Sequence, residues 1–311
     1  MMRLGIPLLL LFALAACAEK REVPSLPAEP YLLVLGTAQD AGFPQAACQK
    51  ACCQPVWRGE KAREWVSCLA YVDPAAGEAW LFDATPDFKE QLHYLQDKLQ
   101  VELAGIFLTH AHIGHYTGLM HLGREAMGAK GVPVYAMPGM YNFLSQNGPW
   151  SQLKTLGNIE LIKIKPDSTI RLGNALSVTA MQVPHRDEFS ETVGYSIQGP
   201  QKKALFIPDI DKWHLWERSI DSVAQVHDWS FLDGSFYANG EIPGRDMSEI
   251  PHPFVEESLA RWQNLPAGEK SRIHFIHFNH TNPLLYTDSE ETKAVLKKGF
   301  GIARTGNTFP L

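Results

Sequence analysis

The sequence predicts an α/β fold, an αββα sandwich in which two mixed β-sheets pack face to face with helices outside. Three observations carry this reading. Short apolar or β-branched runs, each bounded by Gly, Pro, Asn or Asp, recur from Tyr31 onward, as strands do. Segments of helical periodicity fall between some of them and would cover the outer faces of the sheets. From Tyr31 the chain has no long low-complexity stretch and no repeat of fixed period, so residues 31–311 read as one domain.

The first thirty residues read differently. Arg3 is followed by "LGIPLLLLFALAAC", an apolar run too short to span a bilayer and ending in small residues, as in an export signal. Residues 1–16 are therefore expected to be a signal peptide. Leu14-Ala15-Ala16-Cys17 resembles the bacterial lipobox, which implies lipidation of Cys17. Residues 17–30, polar with three prolines, read as a tether. The expectation is an exported lipoprotein held on a membrane face by its lipid.

The strands are then expected at "YLLVLG" (31–36), "EAWLFDAT" (78–85), "LAGIFLTH" (103–110), "VPVYAMP" (132–138), "IELIKIK" (159–165), "ALSVTAMQVPH" (175–185), "TVGYSIQ" (192–198), "KALFIPDID" (203–211), "WSFLDGS" (229–235) and "RIHFIHFNH" (272–280). Helices are expected at 86–99, with Pro86 in the first turn, and at 115–127, 253–265 and 289–298. A net charge of -6, with no Lys/Arg run longer than a pair, supplies no electrostatic footprint for nucleic acid. A small-molecule substrate is the expected partner.

Chemistry concentrates at the strand ends. Asp83, His110, His185, Asp209, Asp233 and His277 each stand at or just past the end of an apolar run, where a sheet delivers them to one shared edge. His110 and His112, two apart in a turn, can reach one ion, while His115 points toward a second position. Neutral imidazole is a ligand for zinc or iron, and a catalytic site keeps one coordination position open.

These residues resemble the metallo-β-lactamase fold superfamily, whose signature is His-x-His-x-Asp-His after a strand, followed by a distal His, an Asp and a final His. The corresponding stretches are "HAHIGH" (110–115), His185 with Gly194-Tyr195 beyond it, Asp209 in "FIPDID", and His277 in "FIHFNH". The resemblance implies that His110, His112 and His185 hold a first metal, that His115 and His277 contribute to a second, and that Asp209 bridges them. Asp83 corresponds to the strand-end acid that orients the histidine loop, so Asp83 and Asp209 are the catalytic carboxylates it implies. Two such cations lower the pKa of a shared water and polarise a scissile group.

Gly114 departs from that pattern, because it stands where the superfamily has a ligating Asp. Either one metal is held tightly, or another acid completes the second site, with Asp211 and Asp40 the candidates. On this reading a Gly114→Asp change would raise occupancy of the second site.

Within the superfamily, "VLGTAQDAGFPQ", "FLDGSFYANGEIPGRDMSEIP" and "HFNHTNPLLY" are similar to the pyrroloquinoline quinone biosynthesis protein B group. A related phosphodiesterase group carries cysteines and a late histidine that hold a structural zinc, which implies Cys48, Cys52, Cys53 and His280 here. The adjacent pair Cys52-Cys53 is unusual for one ion, so Cys68 is an alternative ligand, or a disulfide partner for Cys48 or Cys52 in an oxidising compartment. For His252 the alternatives are the mouth of the pocket and a surface loop, the loop leading, and Trp213 and Trp216 are expected in the core.

Three functions follow. The first is a hydrolase using zinc, with hydroxide generated at the metal attacking an ester, phosphodiester or similar group. The second is an oxygenase using iron, as the quinone-biosynthesis resemblance implies, and the third a lipoprotein that only binds a metal or small molecule. The retained ligands favour an enzyme, and the first reading leads.

Overall fold

The computed structural model describes residues 27–173 and 175–311; Cys17, the expected signal peptide and most of the tether lie outside the described residues. The strands are β1 (Tyr31–Gly36), β2 (Cys68–Asp73), β3 (Glu78–Phe82), β4 (Glu102–Phe107), β5 (Val132–Ala136), β6 (Ile159–Lys163), β7 (Thr169–Leu172), β8 (Leu176–Val183), β9 (Thr192–Gln198), β10 (Lys203–Ile207), β11 (Trp229–Asp233), β12 (Ile273–Ile276), β13 (Gly301–Ile302) and β14 (Thr308–Pro310). They form two seven-stranded sheets, ordered β14-β1-β2-β3-β4-β5-β6 and β13-β12-β11-β10-β9-β8-β7. Both are mixed. In the first, β3 to β6 pair in parallel and the β1, β2 and β14 ladders are antiparallel. In the second, β10 to β13 are parallel and β7 to β10 antiparallel.

Strand alternation explains the layering. Leu32 and Val34 point one way from β1 and join Leu69, Phe82, Phe107, Val178, Tyr195 and Phe206 in the core between the sheets. Leu33 and Leu35 point the other way and pack with Phe88, Leu92, Leu119 and Met140 under the helices of the first sheet. Leu205, Leu232 and Phe275 meet Val255, Leu259 and Trp262 outside the second sheet. This is the expected αββα sandwich. Trp213 and Trp216 lie in that last cluster, as the sequence predicts.

Expected helices appear at Phe88–His93, Val255–Arg261 and Glu290–Lys297, while the 115–127 segment is shorter, an α-turn at Ile113–Tyr116 running into a 3₁₀ turn at Thr117–Leu122. No helix among the described residues is long and apolar enough to cross a membrane.

Candidate metal centre

Each strand-end residue of the sequence reading arrives at one edge of the sandwich. Asp83 directly follows β3, and His110 follows β4 by one short turn. His185 and Asp209 come two residues past β8 and β10, Asp233 ends β11, and His277 directly follows β12. Asp83 and His277 turn there with positive φ, 77° and 69°, a conformation uncommon outside glycine and concentrated at functional sites.

Asp83 is fully buried and organises the histidine turn. Its Oδ1 accepts from the Thr109 backbone N–H at 2.7 Å, and its Oδ2 accepts from His115 Nδ1 at 2.7 Å. It is a positioning residue, since it holds the turn and fixes the tautomer that leaves His115 Nε2 as an acceptor.

Four donors meet in a first cluster: His110 Nε2, His112 Nδ1, His185 Nε2 and Asp209 Oδ2. His110 Nε2 lies 2.8 Å from His112 Nδ1 and 3.3 Å from Asp209 Oδ2, and His185 Nε2 lies 3.2 Å from the same oxygen. Donors about 2.0 Å from one tetrahedral ion stand about 3.3 Å apart, so the spacing suits zinc. Burial, helped by His115, holds His110 well below its ordinary pKa and keeps it neutral, the form that ligates.

Asp40, His115 and His277 form a second cluster, with His115 Nε2 3.3 Å from Asp40 Oδ1. Burial opposes a charge on His115, but the Asp83 and Asp40 carboxylates outweigh it and raise its pKa to about 10, so the two acids call for positive charge between them, supplied by a proton on Nε2 or by an ion in that proton's place. Asp209 is near enough to both to influence Asp40 and His277 electrostatically.

The fit to metal rests on the atoms left over. Asp40 Oδ1, His115 Nε2, His185 Nε2, Asp209 Oδ1 and His277 Nε2 are buried without a hydrogen-bond partner. Buried polar atoms are ordinarily satisfied, and these five all belong to the two sets. The opposite nitrogen of each ring is satisfied: His110 Nδ1 by Thr109 Oγ1 at 3.0 Å, His185 Nδ1 by Asp211 at 3.0 Å, and His277 Nδ1 by Ser235 Oγ at 2.9 Å. That arrangement orients imidazoles for ligation.

Three expectations are corrected. Asp211 joins no second metal set; it hydrogen-bonds His185, and Asp40 is the acid beside His115 and His277. His252 is not in a surface loop but buried, its Nδ1 2.9 Å from Asp233 Oδ2 and 3.1 Å from Asp209 Oδ1. A place at the pocket ranked second for this residue because "EIPHPF" has no strand or spacing signal. The only hint was Asp233, the strand-end acid it pairs with. Burial opposes its protonation, but Asp233 and Asp209 together raise its pKa well above the ordinary value.

The third correction concerns Cys68, which is buried on β2 with Sγ directed at the carbonyl oxygens of Leu69 and Asp83, apart from the other cysteines. Cys48, Cys52, Cys53 and His280 do come together. Sulfur separations are 3.8 Å for Cys48–Cys52 and 3.9 Å for Cys52–Cys53, and His280 Nδ1 lies 3.5 and 3.4 Å from the Cys52 and Cys53 sulfurs. Thiolates about 2.3 Å from a tetrahedral zinc stand about 3.8 Å apart, so the adjacent pair reaches one point after all. The "HTNP" run is structural: Asn282 is fully buried, donating to Gly234 O at 2.7 Å and accepting from Leu284 N–H at 2.8 Å.

Fold and site together define a metallo-β-lactamase-type protein with two neighbouring metal sets at the sheet edge. The chain belongs to the beta-lactamase superfamily, whose domain model matches residues 79–278. Among its relatives, coenzyme PQQ synthesis protein B of Methylorubrum extorquens (strain PA1) is 26% identical over 307 residues, covering 90% of this chain and 100% of the relative. The protein of the same name from Gluconobacter oxydans (strain 621H) is 28% identical over 308 residues, covering 90% and 98%. Zinc-bound PqqB from Methylobacterium extorquens superimposes with a TM-score of 0.75 at 23% identity, over 90% of this chain and 100% of that one. A diphosphatase of the PhnP family gives 0.61 at 22% identity, over 90% and 96%. At these identities the two structures speak for the fold alone.

Proposed function

We propose that this chain is a metal-dependent hydrolase that uses zinc and acts on an anionic ester, most simply a phosphodiester. The observation that carries the reading is the set of buried, unpartnered donor atoms of Asp40, His115, His185, Asp209 and His277. His110, His112, His185 and Asp209 would hold one ion, and Asp40, His115 and His277 the other. Bound there, the ions would supply Lewis acidity and acidify water at an open position. Two divalent ions would carry more charge than the two ligating carboxylates of Asp40 and Asp209, so a negatively charged reacting group would be favoured at the ions themselves. The chain's own part is orientation and proton handling. His252 Nδ1–H donates to Asp233 Oδ2 and lies 3.1 Å from Asp209 Oδ1, and the two carboxylates favour the protonated ring, which would supply a proton to a leaving oxygen. The Cys48, Cys52, Cys53 and His280 set would hold a further, structural zinc.

The experiment is metal content by elemental mass spectrometry, with hydrolysis of bis(p-nitrophenyl) phosphate and p-nitrophenyl acetate by the full chain. Zinc with phosphodiester turnover lost in His110→Ala supports the reading; turnover that survives His110→Ala overturns it. A second reading is an iron-dependent oxygenase of the PQQ synthesis protein B kind, favoured by similarity to those proteins over nine-tenths of the chain. Iron at about one per chain with oxygen uptake, and no ester turnover, would put it first. The leader and Cys17 support an exported, lipid-anchored location, tested by the mass of the N-terminal peptide after extraction from membranes.

A further inference from the structure

The rim of the metal site carries an aromatic ring that the packing of the fold does not require. Phe189 is 63% exposed, yet the residues on either side of it are held against the histidine turn: Glu188 Oε2 lies 3.3 Å from His112 Nε2, and Ser190 Oγ accepts from the Ala111 backbone N–H at 2.9 Å. The segment carrying the ring therefore lies against the turn that presents His110 and His112. Phe143 backs the ring with centroids 5.5 Å apart and planes at 38°, and Tyr116, the residue after His115, meets Phe143 edge-on at 5.3 Å.

A single exposed apolar side chain needs no explanation. Here two occur beside the metal ligands, because Ile113, which follows His112, is 58% exposed. A guanidinium accompanies them, with Arg186 Nη2 3.5 Å from His112 Nε2 and Nη1 3.8 Å from Glu188 Oε1, a half-exposed pair. A backed, pre-positioned ring loses little entropy when a flat group stacks on it.

We propose that Phe189, backed by Phe143, forms a subsite at the mouth of the metal centre for an aryl or other flat apolar group, so that the substrate is an aryl-bearing anionic ester. The proposal rests on the hydrolytic reading above for the reaction, but the subsite is tested by binding. The test is calorimetric titration of the zinc-loaded full chain with phenylphosphonate and methylphosphonate. The parent protein is expected to bind the phenyl compound about five- to tenfold more tightly, the size of one aromatic contact. Phe189→Ala brings that ratio close to one, Phe189→Tyr preserves it, and Leu296→Ala, an exposed residue on the Glu290–Lys297 helix, leaves both affinities as they were. A ratio near one in the parent, a ratio unchanged in Phe189→Ala, or no binding of either compound overturns the subsite. Preference for the phenyl compound without turnover of any ester keeps the subsite and overturns hydrolysis; turnover without preference does the reverse.

Discussion

A Cβ placed on Gly114 would lie 2.4 Å from both Cα and Oδ1 of Asp40. The carboxylate that the superfamily pattern places at position 114 is thus supplied from a loop 74 positions earlier in the chain, and the glycine is what gives that loop room. The loop is stitched in place by Gln39 N–H to Phe278 O at 2.8 Å and Phe278 N–H to Thr37 O at 2.7 Å, so Asp40 and His277 arrive together.

Substituting Gly114 should damage the second metal set instead of filling it. Because one of the clashing atoms is backbone, no rotamer of Asp40 relieves the contact. Gly114→Ala or Gly114→Asp is expected to cost about 1–3 kcal/mol of stability, the usual penalty for overpacking, and to lower metal content. This reverses the direction expected from sequence. Retained stability with more metal per chain in Gly114→Asp would contradict it, as read by thermal unfolding with elemental analysis.

The cysteine set and Asp40 share a support. Cys48 stands eight residues after Asp40, and His280 three after His277. Removing one thiolate by Cys48→Ser is expected to release the structural zinc and, by freeing the Asp40 loop, to reduce occupancy of the Asp40, His115 and His277 set. The readout is zinc per chain during graded chelation: the loss of more than one equivalent supports the coupling, and the loss of one only speaks against it.

Asp233→Asn should act through His252. It removes a negative charge beside His252 Nδ1 and turns one of the two acceptor oxygens into an amide NH2, and is expected to lower kcat about 10- to 100-fold, the scale of a positioned acid or base, with KM little changed. Asp233 also accepts from the backbone N–H groups of Ile210 and Ser235, so a structural effect must be separated. An altered shape of the pH–rate profile at unchanged metal content distinguishes the proton role from a general loosening.

Stability should fall in mild acid for a reason remote from the metals. His227 is buried, donates from Nδ1 to Val223 O at 2.6 Å and accepts at Nε2 from Ser196 Oγ at 2.9 Å, a neutral ring with both nitrogens used. Burial lowers its pKa to about 4, below the unfolded value of 6.5. The unfolded chain therefore binds the proton first, and this contribution is full above pH 6.5 and lost as pH falls toward 4, at about 1 kcal/mol per pH unit. Urea unfolding at pH 7.5, 6 and 5 should show a steeper loss for the parent than for His227→Gln; parallel curves would refute the assignment.

Much of the fold was legible because its signals are local. Alternation in "YLLVLG" or "ALSVTAMQVPH" reports a strand wherever it sits. The Cys68–Asp73 strand escaped because no Gly or Pro marks its start, and the Thr169–Leu172 strand because it is short and half exposed. The five clustered histidines could be read from strand ends and from the superfamily pattern.

By itself the sequence determined the two-sheet sandwich, the histidines and Asp209 at its edge, and the apolar leader ending at Cys17, since each is written in a contiguous stretch. Only the tertiary structure decided that Asp40 fills the space beside Gly114, that Asp211 serves His185, that His252 is buried against Asp233, and that Cys52 and Cys53 both reach His280. Those relations join residues distant in the chain, or turn on which side chain is buried. Packing alone sets them, because a void, a close approach or a shared donor exists only once separate strands have been brought to the same edge.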